Sequence, residues 1–296
     1  MAVRFATISQ HIQSSFEETR EPVSLLAVLK EAHAAIYPQS GLTRGQLDEW
    51  AANSAEQIAT LLRAHHTECI TSGQPSRFSF TVEGSFEYIH GAYWVQPTDS
   101  PELARFKTSR AKLPIYRAYL ENVDDRLFEA VCVGILDILG CTDPVITKKS
   151  GDQGIDFFGQ LKLQGRLGIT FALPGPDRRF NAWLVGQAKR YRGSASTPDL
   201  RELVGSVDLA RAKAFADDGR ALERLSIRLC DPVFYLFLTT GRLTTASLKL
   251  VEAAGMIALD GESIAALLAD ARIGVAECGD VAPELIDSWA RNFLDS

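Results

Sequence analysis

Two short runs hold the residues of this chain best suited to chemistry: GDQGID at 151–156, which ends on Asp156, and QAKRY at 187–191, which supplies Gln187 and Lys189. Asp156 offers a carboxylate, Gln187 an amide oxygen and Lys189 an ammonium group. Gln187 and Lys189 are two residues apart, so on a β-strand they project from one face while Ala188 turns away. Oxygen donors of this kind suit a hard divalent cation. Such a cation beside a lysine suits metal-assisted hydrolysis of a phosphodiester. Further upstream, Glu129 lies in a helix-like run and is a fourth candidate.

Rival chemistries find little support. All five histidines (His11, His33, His65, His66, His90) precede residue 100, so the part of the chain holding Asp156 and Lys189 has no imidazole for a triad or a His-metal centre. No GxxxxGK[ST] run occurs, and KKSGDQG lacks the strand-to-helix setting of a dinucleotide loop. The five cysteines (Cys69, Cys132, Cys141, Cys230, Cys278) are scattered without CxxC spacing, which reads as reduced core thiols in a cytoplasmic protein. No apolar run is long enough to cross a bilayer, and the N-terminus is too polar for a signal peptide.

The 296 residues are enough for two domains, and the net charge is −6. That charge is unevenly spread. Residues 142–213 carry twelve Lys/Arg against seven Asp/Glu, and the flanking segments are neutral to acidic. The basic segment is the one with the candidate site, as a polyanion-facing surface requires.

The elements that must position these residues read as follows. Helices are expected over 22–37, with Pro22 in the first turn, and from Thr43 to about His66, with Thr43 as N-cap. The alternating aromatic runs 77–82 and 86–95 predict a hairpin. Two helices and a hairpin resemble a winged-helix module, and a domain serving only dimerisation is the alternative. Residues 97–120, with three prolines, read as a linker that is in part helical, with a domain boundary near residue 118. From Asp124, an N-cap signal opens a helix that Gly140 stops. Strands are expected at 144–147, 155–163 and 182–189, a hairpin at 165–173, and a helix at 198–217. The apolar run VFYLFLTT (233–240) predicts a strand covered on both faces. A helix (244–254), a short strand (256–258), a helix after Asp260 and a polar tail complete the reading. The fold class is α/β: a C-terminal mixed sheet flanked by helices (119–296) and a mainly helical, winged-helix-like N-terminal domain (1–118).

The order Phe128-Glu129, GDQGID, QAKRY, RELVG (201–205), LFLTTGRLTTAS (236–247) and GMIALDGESIAALL (255–268) resembles the catalytic domain of Mrr-type restriction endonucleases. These belong to the PD-(D/E)xK nuclease superfamily. The resemblance covers roughly residues 124–275. It implies that Asp156 is the metal-binding aspartate, that Gln187 and Lys189 form the QxK element, and that Glu129 is the helix acid. Gln187 stands where much of the superfamily has Glu, and residues 160–181 lengthen the connection between the two strands.

The resemblance also implies a restriction-type endonuclease that cuts double-stranded DNA with Mg²⁺, Mn²⁺ substituting. Asp156, the Gln187 amide oxygen and the Ala188 carbonyl would hold the ion. Lys189 would orient water or stabilise the phosphorane, and Glu129 would hold a metal-bound water or second ion. Lys148, Lys149, Arg190 and Arg192 are candidates for DNA contact, and Asp152 for fixing the turn. A homodimer with one site per strand is the economical assembly. The alternatives are a DNA-binding protein that does not cut, and a nuclease acting on RNA or single strands.

Overall fold

The computed structural model describes residues 4–83, 86–147, 154–162, 181–214 and 222–294. The chain divides into two compact units, Met1–Leu113 and Pro114–Ser296.

The first unit runs α1 (Phe5–Ser15), β1 (Val23–Ser24), α2 (Leu25–Ile36), α3 (Arg44–Ser72), β2 (Phe78–Glu83), β3 (Phe86–Gly91) and α4 (Pro101–Arg110). Its strands form an antiparallel sheet in the order β1-β3-β2. The unit is mainly helical and carries the expected hairpin of β2 and β3. Local chemistry sets the helix ends. Ser24 accepts from the Ala27 amide, and Thr43 and Gln46 cap α3 reciprocally as a capping box. Ile8, Ile12, Val28, Leu29, Ile58, Leu62, Phe78 and Ile89 form the core.

The structure corrects several sequence expectations in this unit. Helix α1 was not foreseen. Pro22 lies ahead of β1, which pairs with β3, and α2 starts only at Leu25. Helix α3 continues past His66 to Ser72, where Gly73 closes it in the left-handed conformation at φ 70°. The stretch expected to be a linker is largely helical. Pro101 sits in the first turn of α4 behind the cap Ser100, a position where its missing N–H costs nothing.

The second unit starts with α5 (Leu113–Asn122), whose first turn holds Pro114. Helix α6 (Asp125–Ile138), β4 (Thr142–Ile146), β5 (Phe157–Lys162), β6 (Asn181–Lys189) and β7 (Ser194–Ala195) follow. Then come α7 (Thr197–Arg211), β8 (Val233–Thr239), β9 (Arg242–Leu243), α8 (Thr245–Ala254), β10 (Ile257–Leu259), α9 (Gly261–Asp270) and α10 (Pro283–Arg291). Among the described residues the main sheet has the order β10-β8-β6-β5-β4. Strands β10, β8 and β6 are parallel, and β5 and β4 antiparallel, so the sheet is mixed. Side-chain bonds fix α5 to this unit: Tyr116 donates to the Ile273 carbonyl at 2.7 Å, Arg117 pairs with Glu262 at 2.6 Å and Tyr119 donates to Asp287 at 2.8 Å.

Helices cover both faces of the sheet. Phe158, Trp183, Val185 and Phe237 pack with Leu200, Leu203 and Val207 of α7 in one cluster. On the other face, Gly159 lies against Leu136 and Cys141, beside α6. The C-terminal stretch expected to be a polar tail is instead helix α10. It buries Ile286 and Ala290 and packs against α6. Strand β5 begins at Phe157, so Asp156 immediately precedes it, and α7 ends at Arg211. The hairpin expected at 165–173, and Lys148, Lys149 and Asp152, lie outside the described residues.

Candidate active site

Strand β6 carries the QxK residues. Trp183 and Val185 face α7, and the two-residue period of the strand puts Gln187 and Lys189 on that same side. The central position of β6, between β5 and β8, leaves Gln187 only 2% exposed. Gly186 makes the adjoining close approach possible: a Cβ there would stand 2.3 Å from the Phe157 ring and 2.7 Å from the Leu236 carbonyl oxygen.

Asp156 is tied to β6 by two hydrogen bonds that bracket Gln187. Its amide donates to the Gly186 carbonyl at 3.0 Å, and its Oδ2 accepts from the Ala188 amide at 2.7 Å. Thr147 secures the approach from the other side. Its hydroxyl donates to the carbonyls of Ile155 at 2.7 Å and Asp156 at 2.9 Å, and its amide donates to that of Asp156 at 2.9 Å. The carboxylate is thereby held over the strand that presents Gln187.

The Gln187 Nε2 donates to Glu202 Oε1 at 3.4 Å, while Oε1 is buried and has no hydrogen-bond partner among the described residues. A buried polar oxygen in that state costs desolvation energy, and in native proteins it marks a place where a ligand, water or ion completes the set. Lys189 pairs with the other oxygen of the same residue, Nζ to Glu202 Oε2 at 3.8 Å. Glu202 belongs to α7, and sequence reasoning missed it. It lies in RELVG between the buried Leu200 and Leu203 and read simply as one turn of an amphipathic helix. Gly154, at φ 81°, lies against the same turn, since a Cβ there would lie 2.5 Å from Ser206 Oγ and 3.6 Å from Glu202 Oε1.

Glu129 comes from α6 on the opposite layer. Arg126 donates to it at 2.7 Å and, with the same nitrogen, to the Thr147 carbonyl at 2.9 Å. The two acids share one neighbour, the buried Cys132. Burial pushes that thiol well up from its ordinary value, and the Asp156 and then the Glu129 charge push it further. Asp156 is thus bonded to the strand that carries Gln187 and Lys189, those two side chains meet at Glu202, and Glu129 is held in an ion pair with Arg126. Of the candidate phosphate-binding residues, Arg190 donates to Asp125 at the start of α6 at 2.7 Å, and Arg192 is exposed.

This donor set suits a hard cation by its chemistry: one carboxylate, one unsatisfied amide oxygen and the adjoining backbone carbonyl of Ala188. It is not a cluster of three or more His, Cys, Asp or Glu side chains, a kind of cluster that is absent among the described residues.

Two solved structures are among those to which the chain is similar. The MspJI restriction endonuclease in complex with a 27-mer oligonucleotide is 17% identical, with a TM-score of 0.38 and coverage of 68% of this chain and 39% of that one. The DNA modification-dependent restriction endonuclease AspBHI is 14% identical, with a TM-score of 0.36 and coverage of 74% and 60%. The chain thus spans less than two thirds of the length of either. No curated protein sequence matches it. Residues 120–216 match the Mrr catalytic-domain family model, described as restriction endonuclease. The matched stretch is the one that holds Glu129, Asp156, Gln187, Lys189 and Glu202.

Proposed function

We propose that the chain is a divalent-metal-dependent endonuclease that hydrolyses phosphodiester bonds of double-stranded DNA, with Mg²⁺ as the working ion and Mn²⁺ as a substitute. The observation that carries this reading is the Gln187 amide oxygen, buried and without a partner among the described residues, on the strand to which the Asp156 carboxylate is bonded. Asp156, Gln187 Oε1 and the Ala188 carbonyl would hold the ion. When bound there, a divalent ion supplies charge to polarise a phosphate oxygen and to lower the pKa of water.

The protein's own groups do the rest. Asp156 is fixed by the Ala188 amide, so its carboxylate keeps one orientation relative to β6. Lys189 presents an ammonium group, 28% exposed at its side chain, on the same face. It is placed to donate to a phosphate oxygen and to spread the negative charge that develops there. The excess of Lys and Arg over residues 142–213 supports a polyanionic substrate. Cutting both strands of a duplex is most simply achieved by a homodimer.

Nicking of supercoiled plasmid in the presence of Mg²⁺ tests the reading. Asp156→Ala and Lys189→Ala are each expected to abolish nicking while circular dichroism and melting temperature stay those of the parent protein. Undiminished nicking by both variants would overturn the assignment. Parallel assays on single-stranded DNA and on RNA decide the substrate, with duplex DNA expected to be cut fastest.

A further inference from the structure

We infer that Glu202 is a positioning residue of the metal centre: by accepting from the Gln187 amide nitrogen, it orients the amide so that its oxygen serves as the ligand. This inference rests on the metal-centre reading above. An amide side chain has two chemically opposite ends of nearly equal shape, and only one of them binds a cation. At a site that is 2% exposed, water cannot be relied on to choose between them. A carboxylate on one side does choose, because it accepts from the N–H end and repels the oxygen.

Glu202 Oε1 lies 3.4 Å from Gln187 Nε2, and Gln187 Oε1 is left buried without a partner among the described residues. The second oxygen of Glu202 pairs with Lys189 at 3.8 Å, so one carboxylate orients both side chains of the QxK element. The placement of Glu202 is itself fixed. Leu200 and Leu203 on either side are fully buried against the sheet. Gly154 packs close beside it, where a Cβ would meet Ser206 and Glu202. Partners that orient metal-binding side chains in this way commonly matter about 10- to 100-fold in metal affinity.

Glu202 has a side-chain exposure of 53%, so its truncation leaves the core intact. The test is calorimetric titration of Mn²⁺ into the full-length, DNA-free protein, comparing the parent with Asp156→Ala, Glu202→Ala and Glu202→Gln. Glu202→Gln retains a carbonyl oxygen able to accept from the Gln187 amide. Asp156→Ala is expected to lose binding. Glu202→Ala is expected to weaken it by about 10- to 100-fold, with Glu202→Gln close to the parent and all melting temperatures unchanged. In the nicking assay, Glu202→Ala is expected to need more metal for half-maximal rate and to recover most of its rate at saturating metal. A purely structural role for Glu202 would not produce that split. If Asp156→Ala loses the ion while Glu202→Ala binds it like the parent, the positioning role falls and the metal centre stands. Equal weakening in Glu202→Ala and Glu202→Gln also overturns it, because the charge and not the hydrogen bond would then be at work. If Asp156→Ala binds Mn²⁺ normally, the metal-centre reading fails and takes the positioning role with it.

Discussion

Gln187 has Glu202 3.4 Å from its amide nitrogen, and that neighbour gives a physical reason for an amide where a second carboxylate is the common choice in the resembling superfamily. Two carboxylates at this distance cannot both ionise comfortably: one of them takes a proton or the pair repels. Gln187→Glu is therefore expected to lower stability in metal-free buffer at neutral pH. The half-exposed Glu202 screens the repulsion, so the loss is about 1 kcal/mol or less. A divalent cation would relieve it, and the rise in melting temperature on adding Mg²⁺ should be larger in Gln187→Glu than in the parent. Thermal melts with Mg²⁺ and with chelator check this, and an equal rise in both proteins would contradict it. At this scale, the placement of Gln187 and Lys189 on one face of a strand was legible in the sequence. Their spacing sets which face of a strand they occupy, and their types limit the chemistry. Glu202 was not legible. Its contact spans fifteen residues and depends on the rotation of α7 against the sheet, which Leu200, Leu203 and Val207 decide together.

Elements with strong local signals could be read directly. Asp124 caps α6 by accepting from the Leu127 amide at 2.9 Å, and the Thr43 box opens α3. The alternation and apolar runs of β6 and β8 show in the sequence because both strands lie inside the sheet. The misses share a cause. Prolines were weighed as linker marks, yet Pro101 and Pro283 stand at the first positions of α4 and α10. There a proline starts a helix rather than breaking one. Helix α10 is short, and it depends on its neighbours for a surface to bury against. Trp289 lies against Gly134 of α6, and Ile286, 0% exposed, lies against Gly274. Ile286→Ala is expected to destabilise the protein by about 2–5 kcal/mol through the lost methylenes and the cavity left behind. Urea denaturation followed at Trp289, on the same helix, measures this. A change within error of zero would mean that α10 contributes nothing to the unit.

The whole molecule is asymmetric in its titratable groups. Every histidine precedes residue 100 and so belongs to the first unit, whereas the second unit has none. Burial holds the His33, His65 and His66 imidazoles below their ordinary value, with the neighbouring His65 and His90 charges adding to the effect at His66. His33 is 1% exposed, its Nε2 has no partner among the described residues, and its ring lies 4.5 Å from that of Trp50. In the unfolded chain these imidazoles protonate near the ordinary value of about 6.5, and in the folded unit only at lower pH. As pH falls below about 6.5, the unfolded state binds more protons than the folded one, so stability present above that value is lost through the lowered folded values. The first unit should therefore lose thermal stability on mild acidification, by a route not available to the second. Melting followed at Trp50, in a variant with Trp94, Trp183 and Trp289 changed to Phe, is expected to shift downward between neutral pH and about pH 5.5. His33→Phe should reduce the shift, because a phenyl ring fills the same pocket without taking up a proton. A midpoint that stays level over that range, or a shift left unchanged by His33→Phe, would show that the buried His33 imidazole does not govern the acid response of this unit.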